Sequence, residues 1–314
     1  MCEEIGTLAI GTYDGILFCY RIWKIPEGCT DLPEGVPKDY VGYFTKLIFN
    51  FQPHDGAIRQ LASSSRYIAS GGYDGAISLF DLKVMKNIGS LVQHDDCIES
   101  LAFFKNFYLI SGSADKTICL WRISDWGHMK QLKGHTAALT SMAISPTGKF
   151  MLSTGKDGAL RMWDLMHGHN ARTRKIGTSA TFVGFSEDSK QFFFGYDNMV
   201  RYCDGVTETV LFDFPHEKQV TCYSVNGATL WVGTTNGLIY AWSTETGDSL
   251  GVFKFSESDR IKMLSANNQY LICLTSSGIA KIGVVSEDFE IDTVMEWDIK
   301  TRITCGTFIP SNRK

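Results

Sequence analysis

Much that would mark this chain as an enzyme, a membrane protein or a secreted scaffold is missing. No apolar run approaches membrane-spanning length. The start, MCEEIGTLAI, carries acidic residues where a secretory signal would be basic. Neither G-x-x-x-x-G-K-[ST] nor a strand-to-helix G-x-G-x-x-G occurs, so a nucleotide site has no support. Nine cysteines include no C-x-x-C pair, and several sit in apolar runs, as Cys119 does in TICLWRI. That usage suits reduced thiols in a reducing compartment. Net charge is only -4 and both signs are mixed, so no single-sign tail announces a polyanionic or polycationic partner. The expectation is a soluble intracellular protein with no cofactor, no metal, no membrane partner and no small-molecule substrate.

What is present is a repeat. Short turns centre on Asp14, Asp74, Asp115, Asp157, Asp197, Asn236 and Ser277, at intervals of 60, 41, 42, 40, 39 and 41 residues. A period near 40 signals a repeat architecture, which makes one continuous body of 314 residues rather than two domains. Residues not used to find the frame support it. Six positions beyond each turn lie Tyr20, Phe80, Trp121, Trp163, Cys203, Trp242 and Gly283, five of them aromatic in a chain with 12% aromatics. His54, His94, His135 and His216 fall 20 to 22 residues before their turns.

Between the landmarks, YLISGSADKTICLWRI and FMLSTGKDGALRMWDL read as pairs of short strands joined by tight turns. Most are apolar on both phases, as strands covered on both faces must be. Four antiparallel strands per unit, repeated radially, predict an all-β propeller of seven blades. The C-terminal KTRITCGTFIP resembles the opening strand of a unit, so it is expected to complete the blade begun by the N-terminus and remove two sheet edges. The one long interval is assigned to a surface loop at 24–39, rich in proline and mixed charge.

Two sets of residues imitate a hydrolase triad: His94, Ser111 and Asp115 with Trp121, and His135, Ser153 and Asp157 with Trp163. Repetition argues for a structural brace in each unit, a turn carboxylate accepting from the His, the His bonded to a strand hydroxyl, and an indole donor nearby. No catalytic residue is assigned. His167 and His169 have no third metal ligand at a supporting spacing and read as a solvated loop.

GGYDGAISLFDL, SGSADKTICLWRI and SPTGKFMLSTGKDGALRMWDL resemble WD repeats, with the literal dipeptide kept at Trp163-Asp164. More narrowly, LAIGTYDGILFCYRI followed by a long insertion, LISGSADKTICLWRISDW and SPTGKFMLSTGKDGALRMWDLMHG are similar to the p21-activated kinase-interacting protein family, most clearly over residues 5–175. That resemblance implies a nuclear and nucleolar scaffold for large (60S) ribosomal subunit assembly and rRNA maturation. Its implied partners are assembly proteins of precursor large subunits and rRNA; the alternative is an adaptor that negatively regulates a p21-activated kinase. The chain departs from the repeat where Ile176, Glu257 and Ile299 replace the His, and it ends in NRK where relatives often carry a Lys-rich tail.

Propellers of this type commonly meet partners on the narrow face, through the residue before each turn and two first-strand positions. The resemblance thus implies a face containing Tyr13, Arg59, Tyr73, Lys156, Tyr196, Arg260, Lys262 and Arg302, on a molecule expected to be a monomer. The 21 positions of this frame hold five basic residues and one acidic, within a chain of net charge -4. Arg260, Lys262, Arg302, Tyr13, Arg59 and Tyr73 are expected to be neighbours across the ring closure. A basic and aromatic patch suits acidic or phosphate-rich partners. Arg172, Arg174 and Lys175 fall on an expected outermost strand, where they blunt an exposed edge.

Overall fold

The β-branched and aromatic runs fold as hairpins, and the turns set their pairing. In the computed structural model, which describes residues 2–29, 31–37, 40–267, 269–286 and 288–311, twenty-eight strands form seven four-stranded antiparallel sheets, with no helix among the described residues. Each sheet is one blade. Blade 1 joins Ile303–Pro310 to Glu3–Thr12, Leu17–Ile25 and Gly42–Phe51; blades 2 to 7 begin at Ile58, Ile98, Leu139, Phe182, Val220 and Ile261.

Ring closure is the expected one. Gly6 pairs with Pro310 and Gly11 with Cys305, so the C-terminal strand covers the N-terminal one along nearly its whole length. Each blade alone would leave apolar residues on both faces exposed, and stacking removes them from water. Seven buried clusters result, one at each junction between blades. At the closing junction Ile5, Leu8, Ile10 and Ile303 of blade 1 pack on Ile272, Leu274 and Ile282 of blade 7. Closure therefore has the same kind of core as every other junction.

Two local differences from the sequence reading stand out. The strand before the long insertion runs to Ile25 and the next starts at Gly42, so the loop begins later than 24. Strands of 9 and 10 residues absorb part of the 60-residue interval. Of the proposed 24–39 loop, residues 30, 38 and 39 lie outside the described residues. The turn at Asp197 is also tighter than its equivalents. Tyr196 pairs with Met199 and leaves only Asp197 and Asn198 between them, with Asp197 at φ 46°.

Candidate functional site

Blades 3 and 4 carry the complete brace. In blade 3 the Trp121 indole donates to Ser111 Oγ at 2.9 Å, and that oxygen lies 2.8 Å from His94 Nε2. His94 Nδ1 is 2.8 Å from Asp115. Blade 4 repeats this, with Trp163 to Ser153 at 2.8 Å, Ser153 to His135 Nε2 at 2.8 Å, and His135 Nδ1 to Asp157 at 3.0 Å. One proton order satisfies the chain: indole to hydroxyl, hydroxyl to imidazole, imidazole to carboxylate. The carboxylates also accept backbone N–H groups, from Thr117 at 2.8 Å and from Thr136 at 2.9 Å. Asp115 and Asp157 are held below the usual carboxylate range because these donors outweigh the burial that opposes them. Burial pushes the His135 imidazole down against the pull of Asp157.

The other blades vary the device. In blade 2, His54 reaches Asp74 at 3.1 Å and Ser70 Oγ at 2.9 Å, but Phe80 supplies no indole donor. Blade 6 corrects the expectation that His216 completes a fourth brace. Val232 stands where the hydroxyl would be, so Trp242 donates directly to His216 Nε2 at 3.3 Å. Among the described residues His216 Nδ1 has no partner, while Asn236 accepts from Thr234 instead. In blade 7 the Glu257 carboxylate pairs with Lys254, and the brace is inverted: Ser277 Oγ on the turn donates to Asp259 at 2.8 Å.

The same turns build the outer face of the central channel. In six blades the residue before the turn donates its N–H to the first of the two first-strand positions: Tyr13 to Arg302, Tyr73 to Ala57, Ala114 to Cys97, Lys156 to Ala138, Thr235 to Gln219 and Ser276 to Arg260. A register shift then leaves Arg59, Glu99, Thr140, Thr221, Lys262 and Thr304 without a cross-strand partner. Such bulges re-aim a side chain. The hydroxyls of Thr140, Thr221 and Thr304 bond to Thr154, Gly233 and Gly11. Glu99 and Lys262 line the channel, a cavity of about 510 Å³.

Around blades 7, 1 and 2 the predicted cations gather. The Arg302 guanidinium lies 5.2 Å from the centre of the Tyr13 ring. Burial first, and then Arg260, Arg302 and Arg59, push the Lys262 ammonium below its ordinary range. Among the described residues Arg260, Lys262 and Arg302 have no carboxylate within salt-bridge distance. Arg59 differs from them, because its Nη2 is 2.8 Å from Glu99. Tyr13 and Tyr73 are exposed, at 57% and 67%. Their turns adjoin: a Cβ on Gly15, at φ 75°, would strike the carbonyls of His54 and Gly56, and a Cβ on Gly56 would touch Tyr73.

Two predicted face residues stand apart. Lys156 is exposed on blade 4, away from the cluster. Tyr196, on the tighter turn, packs beside Phe194 and Arg201, whose guanidinium is bound to Asp213 at 2.8 Å. The basic outer strand is tied to the next blade, with Arg172 on the Glu208 carboxylate at 3.0 Å and Arg174 on the Glu208 carbonyl at 2.9 Å. The turn before it also brings a carboxylate that spacing alone did not suggest. Ligand atoms of Asp164, His167 and His169 lie within 4.8 Å of one another. Asp164 there caps the turn, accepting from the Met166 and His167 N–H groups and bonding His167 Nδ1 at 2.8 Å.

Comparison with known proteins agrees with this geometry. The family model "WD domain, G-beta repeat" matches residues 45–81, 85–122 and 126–164. The "p21-activated protein kinase-interacting protein 1-like" of Danio rerio is 26% identical over 305 residues, 95% of this chain and 79% of that protein. "Shk1 kinase-binding protein 15" of Schizosaccharomyces pombe is 28% identical, covering 88% and 81% of the two chains. "Protein MAK11" of Saccharomyces cerevisiae is 37% identical over 197 residues, 56% of this chain and 45% of that one. The solved U3-55K structure superposes with a TM-score of 0.73 at 16% identity, covering 80% of this chain and 85% of that one, a likeness of fold alone. The chain is a seven-bladed β-propeller whose residues 45–81, 85–122 and 126–164 match the WD repeat, and over nearly its whole length it is similar to proteins named for p21-activated kinase interaction.

Proposed function

We propose that the chain is a non-catalytic scaffold for assembly of the large ribosomal subunit and maturation of its rRNA, working as a monomer in the nucleus and nucleolus. It docks an assembly protein of precursor large subunits through the channel mouth at blades 7, 1 and 2. The observation that carries this reading is the cluster of Arg260, Lys262 and Arg302 beside Tyr13, three cations without a carboxylate partner among the described residues. Such a cluster takes an acidic peptide or a phosphate-rich surface, and the family resemblance supplies the ribosomal setting. Co-sedimentation tests it. The protein is expected in fractions holding precursor large subunits, and its depletion is expected to lower large-subunit output; absence from those fractions with unaltered output refutes the reading. If rRNA is contacted, replacing Arg260, Lys262 and Arg302 by Ala shallows the log–log salt dependence of binding by roughly 2 to 3. An unchanged slope removes the RNA contact alone.

A second reading is supported by similar proteins in vertebrates and fission yeast, which are named for kinase interaction and kinase binding. In it the same face restrains a p21-activated kinase. A purified pair that shows neither binding nor inhibition ends that reading.

A further inference from the structure

Seven of the nine cysteines are packed into the blades. Burial pushes the thiols of Cys19, Cys97, Cys119, Cys222 and Cys305 up to about 12 and raises those of Cys203 and Cys273, so these sulfurs stay protonated and inert. Cys2 and Cys29 differ in placement, although burial and the contact with Cys29 raise the Cys2 thiol too. Both are partly exposed, and their sulfurs are 2.7 Å apart. Both face the Asp31 carbonyl, at 2.9 Å from Cys2 and 3.8 Å from Cys29. Among the described residues no other two cysteine sulfurs are in hydrogen-bond contact.

Their place in the fold gives the contact a consequence. Cys2 precedes Glu3, which pairs with Lys24 at the far end of the blade 1 ladder from the turn that carries Tyr13. Cys29 sits on a turn closed by its N–H to the Pro26 carbonyl, at the start of the long insertion. Among the described residues one exposed ion pair, Glu34 with Lys46, ties that insertion to the outer strand of blade 1. Gly28, next to Cys29, and Gly35 are both at positive φ with open space where a Cβ would be. A disulfide needs the sulfurs at about 2.05 Å.

We propose that Cys2 and Cys29 are a reversible disulfide site that staples the insertion to the first strand of the ring-closing blade in response to the thiol–disulfide balance. With oxidised glutathione as oxidant, one thiolate of the pair attacks a glutathione sulfur and releases one glutathione thiolate. The second cysteine then attacks the mixed disulfide and releases the other. The two cysteines are oxidised to one disulfide, glutathione disulfide is reduced to two glutathiones, and the two cysteine protons pass to the released thiolates.

The full chain, equilibrated in glutathione buffers from reducing to oxidising, is quenched in acid, unfolded, alkylated and mapped by mass spectrometry. The expected result is one linked pair of peptides containing Cys2 and Cys29, seven alkylated cysteines, and reversal by excess dithiothreitol. The melting temperature of the oxidised form rises by roughly 5 °C. Cys2→Ser and Cys29→Ser, both at partly exposed positions, keep the melting temperature of the reduced form and lose the redox-dependent rise. Full alkylation of Cys2 and Cys29 in the most oxidising buffer overturns the proposal, as does one glutathione on each sulfur without a link.

Discussion

Replacing Ser153 by Ala removes one oxygen and strands two buried polar groups, the Trp163 indole N–H and His135 Nε2. Each orphan costs about 1–3 kcal/mol. Blade 6 indicates how much relaxation recovers, since Trp242 reaches His216 directly at 3.3 Å where no hydroxyl is present. A net loss of about 2–3 kcal/mol is therefore expected for Ser153→Ala, and the same for Ser111→Ala. Ser70→Ala is the internal control. Phe80 leaves no indole to strand, so only His54 Nε2 loses a partner and the loss there is about 1 kcal/mol. Adding Trp163→Phe to Ser153→Ala removes one orphan, and the two changes should be less than additive by about 1 kcal/mol. Urea denaturation followed by fluorescence measures these four variants together with Trp163→Phe alone, which closes the cycle. Equal losses for Ser70→Ala and Ser153→Ala would refute the wiring, because only one of those sites has an indole to satisfy.

Further outcomes follow from the same geometry. Burial pushes the His216 imidazole down to about 4, below its ordinary 6.5. The unfolded chain then binds the proton more readily, so stability is full above pH 6.5 and declines by up to about 3 kcal/mol as pH falls to 4. His135 acts in the same direction, and His216→Gln should flatten the His216 part of the decline in acid melts. Ending the chain before Ile303 exposes the Glu3–Thr12 edge and opens the ring; aggregation or a lost cooperative melt is expected, and a well-behaved monomer on gel filtration would argue against the closure. Gly15→Ala drives a Cβ into the His54 and Gly56 carbonyls at φ 75°, for a loss of roughly 1–3 kcal/mol read as a lowered melting temperature.

The period of the turns contained most of the fold, because each unit needs the same residues at the same places to bury its faces. It located the complete braces of blades 3 and 4 for that reason. The failures have local causes. Counting back to a histidine cannot show that Val232 has removed the hydroxyl His216 would use, nor that Asp259, two residues past Glu257, takes over as acceptor. A one-residue shortening at Asp197 is invisible in an interval that already varies by one or two, yet it sets Tyr196 apart from the face. Spacing placed Arg59 among the cations but could not pair it with Glu99, forty residues away on the next blade. The bulges that aim Glu99 and Lys262 into the channel leave no mark in composition.

The docking claim is tested most directly by affinity purification with quantitative mass spectrometry. Wild type is compared with the triple variant Arg260→Ala, Lys262→Ala, Arg302→Ala, and with Lys156→Ala as a control on a distant blade. The expectation is that the triple variant keeps its melting temperature yet loses precursor large-subunit proteins at least about tenfold, while Lys156→Ala retains them. Equal recovery of those proteins by the folded triple variant would contradict the docking face.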